Sequence, residues 1–293
     1  MKKILVGSAA SAAGLGLAGA GAAAYVNRMV QGRATGDLQG FLDRNSSDPV
    51  DPVVFLGDSI VRGRASVDFV DLLRPKFPNL ELINGGENGD LSYDTRERLV
   101  HVVSTDPVGV VIMIGTNDAR AMLMENSNEV ARRTQNHPQP PSLAFFSENL
   151  QRILDDLSTH THAAIGVCSL PPLGEKIESE ANLQIRQFNN VISDLTAHAD
   201  ATYIPVYEAL LERLHTTEGL QGRDFQGSWR FSASSLTQHF LIGRSFDQIA
   251  SRNGYALTPD GMHLNSTAAE IVAEAVEKFL ATITPHSAAA PEE

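Results

Sequence analysis

The chain has 293 residues, 42% of them hydrophobic, enough for one sizeable core or at most two small ones. A formal net charge of −12, with no Lys/Arg patch standing out, argues against a nucleic-acid partner, because phosphate binding needs such patches. Cys168 is the single cysteine. That excludes an intramolecular disulfide and a cysteine-rich zinc site, and within AAIGVCSLPP it reads as a small buried strand residue.

The N-terminal stretch MKKILVGSAASAAGLGLAGAGAAAYVNR carries Lys2 and Lys3, then no charge until Arg28. Small-x-small sites end at Ala20, Ala22 and Ala24. This pattern predicts an export segment over residues 1–26. The uncharged run also reaches the roughly 20 residues that span a bilayer. A cleaved signal peptide and a retained anchor, membrane-associated through residues 4–26, therefore both stand. Either places the remainder outside the cytoplasm, secreted or held at the cell envelope. A buried helix is disfavoured, because the stretch lacks a polar face and is rich in glycine.

Residues 27–52 form a polar connector ending in NSSDPVDP. Apolar runs then alternate with helical patterns. PVVFLGD (52–58), LELING (80–85), VGVVIMIGTND (108–118), AAIGVCSLPP (163–172) and TYIPVY (202–207) read as five strands. Several are unbroken Val/Ile runs, as expected for strands buried on both faces of a parallel sheet. Ser147 is a candidate N-cap for a helix whose Leu150, Ile153, Leu154 and Leu157 share a face. Phe188, Val191, Ile192 and Leu195 repeat that spacing. Thr267 and Glu270 suggest a capping box for a last helix that buries Val272, Val276, Phe279 and Leu280. The alternation predicts one three-layer α/β/α sandwich on a five-stranded parallel sheet, spanning residues 53–283. Two stretches interrupt it: a polar, proline-bearing loop at 126–142 and an insertion at 215–258. In the insertion, Leu236, Phe240, Phe246 and Ile249 fit one face of a helix, preceded by Phe225, Trp229 and Phe231. It is either a cap forming an acyl pocket or a satellite helix. Residues 284–293 read as a disordered tail.

The first strand ends in Gly-Asp-Ser, and Ser59 stands where open α/β sheets place their sites. A serine hydroxyl needs a base, usually a histidine fixed by a carboxylate. TPDGMHLN supplies Asp260 and His263, three apart in a loop before the last helix. Acyl transfer also needs fixed donors for the developing oxyanion. Asn117 follows the third strand. In INGGENGDLS, after the second strand, a glycine lets a backbone N–H approach a ligand closely. Each of these alone reads more simply as turn-forming residues. Their convergence on one rim of one sheet is what argues for chemistry.

GDS with Ser59, NGGENG with Gly89, GTND with Asn117 and DGMH with Asp260 and His263 resemble, in order and placement, the four blocks of the SGNH hydrolase (GDSL-type esterase/lipase) superfamily. The resemblance covers residues 53–283. It implies a flavodoxin-like fold and an ester hydrolase with a Ser-His-Asp triad, no metal and no cofactor. Under it Ser59 is the nucleophile and an oxyanion donor through its N–H. Gly89 donates its N–H, with Gly86 the alternative, and Asn117 its side-chain amide. His263 is the base and Asp260 orients it. Asp58 and Asp118 read as loop-stabilising, and Arg62, Arg120 and the 126–142 loop as candidates for the mouth.

The expected partner is a small-molecule, glycan or lipid ester. An exported esterase leads, and a cell-envelope O-acyltransferase using the same residues is the alternative. A non-catalytic scaffold would have lost one of these positions, and none is lost. A flavin or nucleotide binder needs a glycine-rich phosphate loop after the first strand. GDSIVRG has too few glycines and sets an aspartate where the phosphate would lie.

Overall fold

The computed structural model describes residues 19–44, 51–124, 128–216, 222–227 and 229–283. Most of the export segment, residues 1–18, and the tail from 284 lie outside them. Among the described residues no helix is long and apolar enough to cross a membrane.

Helix α1, described over residues 19–30, and α2 (Leu38–Leu42) precede the sheet. Next come β1 (Pro52–Gly57), α3 (Ser59–Arg62), α4 (Phe69–Leu73), β2 (Glu81–Gly86), α5 (Ser92–Glu97), α6 (Leu99–Val103) and β3 (Gly109–Met113). They are followed by α7 (Thr116–Leu123), α8 (Asn128–Arg133), α9 (Leu143–His160), β4 (Ala164–Cys168), α10 (Glu180–His198), β5 (Ala201–Ile204) and α11 (Val206–His215). The chain closes with α12 (Trp229–Ile242), α13 (Phe246–Asn253) and α14 (Ser266–Leu280).

The five strands pair parallel in the order β2-β1-β3-β4-β5. This is the flavodoxin-like doubly wound order, whose crevice lies outside the carboxyl ends of strands at the point where the order reverses. The strands are short apolar runs, and a two-residue period sends their side chains to opposite layers. Val53 and Phe55 of β1 enter one cluster, with residues of α4, α11 and α14. Val54 and Leu56 enter the other, with residues of α6, α9 and α10. Gly57 pairs with Gly86 of β2 and Met113 of β3, so these three neighbouring strands end level.

Three local expectations are corrected. The N-cap of α9 is Ser142, whose side chain accepts the Phe145 N–H at 3.1 Å. Ser147 lies inside the helix, because Ser142 has the extended backbone a cap requires. The cap of α14 is Asn265, also extended, which accepts the Ala268 N–H at 3.0 Å. Thr267 and Glu270 therefore fall in its first turns. The 215–258 stripe is split between two helices. Gly243 (φ +75°) ends α12, and Ser245 with Gln248 forms a capping box on α13. The polar loop at 126–142 contains the short helix α8.

Phe188 of α10 is fully buried against Phe146 of α9, with ring centroids 4.7 Å apart. Phe188→Ala is expected to cost about 3–5 kcal/mol in chemical denaturation, the usual range for a truncated core phenylalanine. A cost below about 1 kcal/mol would show that this helix layer is not close-packed.

Candidate active site

Ser59 is the first residue of α3. Asp58 caps that helix by accepting the Ile60 N–H at 2.9 Å. From the far end of the chain, the turn at 258–263 places His263 Nε2 3.0 Å from Ser59 Oγ and His263 Nδ1 2.8 Å from Asp260 Oδ2. All three residues are buried. Asp260 Oδ1 accepts the N–H groups of Met262 and His263 at 3.1 and 3.0 Å. One carboxylate thus shapes the turn with one oxygen and holds the imidazole with the other. A carboxylate only accepts, so Nδ1 carries the proton and Nε2 faces the hydroxyl.

The turn is fastened on both sides. The buried Glu175, in the loop after β4, accepts the N–H groups of Ala256 (2.6 Å), Leu257 (2.8 Å) and Thr258 (3.1 Å) and the Thr258 hydroxyl (3.2 Å). Beyond His263, Leu264 exchanges bonds with the segment after α3. Its N–H donates to Ser66 Oγ at 2.6 Å, and its carbonyl accepts the Val67 N–H at 3.0 Å. The imidazole is thereby held against the serine's own element. No motif in the sequence points to Glu175 or Ser66.

Burial is the largest single influence on both members of the Asp260–His263 pair and opposes their ionisation, but the partner's charge and the surrounding hydrogen bonds and charges together outweigh it. The imidazolium and its hydrogen bonds hold the Asp260 carboxyl well below the usual carboxylate range. The Asp260 charge and hydrogen bond push His263 above the ordinary imidazole value. Burial pushes Asp58 up to about 7 and Asp118 up to about 6.

The three expected donors lie on the same rim. The Ser59 and Gly89 N–H groups bond to no group among the described residues, and Gly89 sits at φ +76°. Gly86 is otherwise engaged. Its N–H donates to Asn84 Oδ1 at 3.0 Å, and a Cβ there would strike the backbone of Arg62 and Asp58. The Asn117 amide donates to Asp58 Oδ2 at 3.2 Å and to the Asp90 carbonyl at 3.1 Å. Asp118 accepts the Ser92 hydroxyl (2.6 Å) and N–H (2.9 Å), tying the Gly89 loop to α7. Asp58 and Asp118 act as loop fasteners, as the sequence suggests. Of the mouth candidates, Arg120 stands close enough to His263 to oppose its charge. Arg133 of α8 reaches the Asn88 carbonyl at 2.9 Å. Arg62 is buried and ion-paired with Glu87. Phe225 packs near Gly261 and, with Leu123, Met124, Glu180 and Asp224, lines a groove of about 620 Å³ beside the turn.

A hydroxyl bonded to an imidazole whose other nitrogen is held by a carboxylate is the arrangement that turns serine into a nucleophile. The family described as GDSL-like Lipase/Acylhydrolase matches residues 55–271, most of the chain. The chain belongs to that family. As a GDSL-type acylhydrolase of SGNH fold it acts on ester bonds. Among solved structures the acylhydrolase is similar to an acetyl xylan esterase, AlAXEase, at 19% identity. That match covers 78% of this chain and 99% of the other, with a TM-score of 0.55. An acetylxylan esterase from Geobacillus stearothermophilus matches at 17% identity over 78% and 93% of the two chains, also with a TM-score of 0.55. An α/β hydrolase from the metagenome of Lake Arreo, Spain, matches at 14% identity over 80% and 96%, with a TM-score of 0.57. At these identities the likeness is one of fold. No curated protein matches the acylhydrolase in sequence.

An NMR titration of the His263 imidazole is expected to give a midpoint above the ordinary value of about 6.5. Asp260→Asn removes the main influences that raise it, leaving the smaller influence of Asp58 and the burial that lowers it, so the midpoint should fall in that variant. A wild-type midpoint below the ordinary value would contradict the coupling described here.

Proposed function

We propose that the protein is an exported serine esterase that removes O-acyl groups from carbohydrate or lipid alcohols through an acyl-enzyme. The observation that carries this reading is the buried, continuous hydrogen-bond chain from Ser59 Oγ through His263 to Asp260. Ser59 Oγ attacks the ester carbonyl carbon while its proton passes to His263 Nε2. The carbonyl oxygen becomes the oxyanion, met by the N–H groups of Ser59 and Gly89 and by the Asn117 amide. For Asn117 this exchanges one of its bonds of 3.1–3.2 Å for the stronger acceptor. As the intermediate collapses, the carbon–oxygen bond to the alcohol breaks and His263 returns its proton to the leaving oxygen. Water then attacks the acyl carbon and gives its proton to His263; as this second intermediate collapses, the bond to Ser59 Oγ breaks, His263 returns the proton to that oxygen and the acid leaves.

The groove beside the turn mixes Leu123, Met124 and Phe225 with Glu180 and Asp224. That mixture suits a polar alcohol carrying an acyl group. The acetylxylan esterases of similar fold act on acylated carbohydrate by their own descriptions, which favours a sugar ester as the first substrate class to try. Export rests on Lys2 and Lys3 followed by the uncharged stretch that runs to Arg28.

Hydrolysis of p-nitrophenyl esters from acetate to palmitate tests this reading. The wild type is expected to turn over, and Ser59→Ala to fall to background. Asn117→Ala is expected to lose roughly 10²–10³ in kcat with KM little changed, as for a missing oxyanion donor. The base must be neutral to take a proton. Activity should therefore be lost as pH falls through the His263 midpoint, with the acid limb above about 6.5. Product that forms only with an added acceptor alcohol would replace the hydrolase by the acyltransferase. Undiminished turnover by Ser59→Ala would end the reading.

A further inference from the structure

The polar stretch before the sheet meets the site at its most sensitive point. The last carbonyls of a helix have no partner within it. At the end of α1 these carbonyls are taken by side chains of the catalytic rim. Arg64 donates through Nε (3.1 Å) and Nη2 (2.9 Å) to the Met29 carbonyl. Asn88 Nδ2 donates to the Val30 carbonyl at 3.0 Å. Arg62 Nη2 donates to the carbonyls of Gln31 (3.0 Å) and Gly32 (3.2 Å). Two guanidinium groups at a helix carboxyl end also suit its dipole.

These are not arbitrary surface groups. Arg62 is the last residue of α3, the helix that Ser59 begins, and it is buried to 8% exposure. Its ion-pair partner, Glu87, lies two residues before Gly89. Asn88 directly precedes Gly89. Further along, the Gly36 carbonyl accepts the Asn84 N–H at 2.9 Å, and Asp37 forms a parallel bridge to Asn84. The Thr35 carbonyl accepts Arg74 Nη2 at 2.7 Å. Residues 29–37 thus run along the open edge of β2 and over the end of the loop that carries Gly89. On the loop's other flank, Arg133 holds the Asn88 carbonyl and is itself 43% exposed.

We infer that residues 29–37 form a strap that positions the Gly89 N–H for the oxyanion, with Asn88 as the positioning residue that joins strap to loop. The inference rests on the esterase reading above and extends the working site to a segment that precedes the family match at residue 55. The physical reason is tolerance. A preorganised donor stabilises a transition state only when it is held where the charge will develop. A glycine at positive φ in a loop has no side chain of its own to hold it there. The strap supplies that hold through Asn88 and, by way of Arg62 and Glu87, links it to the element of Ser59. Arg62, Arg64 and Asn88 bond to the strap and to loop groups, and none of these partners is a reacting atom.

The test uses two variants of the full chain. Asn88→Ala cuts the link at the loop. Arg64→Ala loosens the strap at Met29, away from the loop. Amide hydrogen exchange and ester hydrolysis are read on both. Exchange over residues 87–90 is expected to rise in each, with kcat falling about tenfold, the equivalent of 1.36 kcal/mol in the barrier, and KM within about twofold. Melting temperatures should stay close to the wild type. A strap that is only structural would show faster exchange with an unchanged kcat, or with kcat and KM both altered through loss of fold; either result overturns the inference. So does unaltered exchange at 87–90 in Asn88→Ala. Should the wild type show no Ser59-dependent turnover, the esterase reading fails by itself, and the exchange data still decide whether the strap holds the loop.

Discussion

The site depends on a buried carboxylate that has no lysine or arginine among its described bonding partners. Stripping Asp260 of water costs several kcal/mol unless hydrogen bonds and an opposite charge replace it. Two backbone N–H groups of its own turn and the His263 imidazole do so. The histidine is consequently fixed in orientation and tautomer before any substrate arrives. The other features of the site deliver Ser59 to that imidazole, keep the turn from moving, or hold the Gly89 loop and Asn117 beside the serine. Glu175 on one side and Ser66 on the other do the second job.

Delivery is a matter of register. β1, β2 and β3 end level, so the residues that follow them leave the sheet on one rim. The doubly wound order makes that rim the place where neighbouring crossovers diverge and leave a crevice. Burial drives the rest. Strands that hide both faces must be apolar throughout, and the first residues free to be polar are those just past the ends. The acidic groups placed there, Asp58 and Asp118, spend their oxygens on loop fastening. Burial makes both harder to ionise than an ordinary carboxylate.

Much of this was legible in the residues. Unbroken Val/Ile runs ending in glycine announce the strands to within a few positions. Three short polar blocks past strand ends announce Ser59, Gly89 and Asn117, and a fourth before the last helix announces the Asp260–His263 pair; the fold brings all four to one rim. What the sequence hid has a common cause. Glu175 binds backbone N–H groups 81 to 83 residues away. Backbone groups carry no residue signature, so no pattern could couple the two segments. The strap at 29–37 is invisible for the same reason, since its contribution is a row of carbonyls. The helix starts shifted because several serines, threonines and asparagines compete for each cap, and the backbone angle at Ser142 or Asn265 decides among them. The stripe from Leu236 to Ile249 suggests one helix until Gly243 adopts a left-handed conformation and divides it.

The central claim is that Ser59 is a nucleophile made reactive by His263, and covalent labelling tests it without knowledge of the natural ester. A fluorophosphonate esterifies an activated serine and spares ordinary ones. Incubated with the folded protein and mapped by mass spectrometry, it is expected to place one adduct on Ser59, with labelling all but abolished in a folded His263→Ala variant. A folded wild type that takes no label, or that takes it on another residue, would contradict the account and return Ser59 to the role of an ordinary helix-start serine.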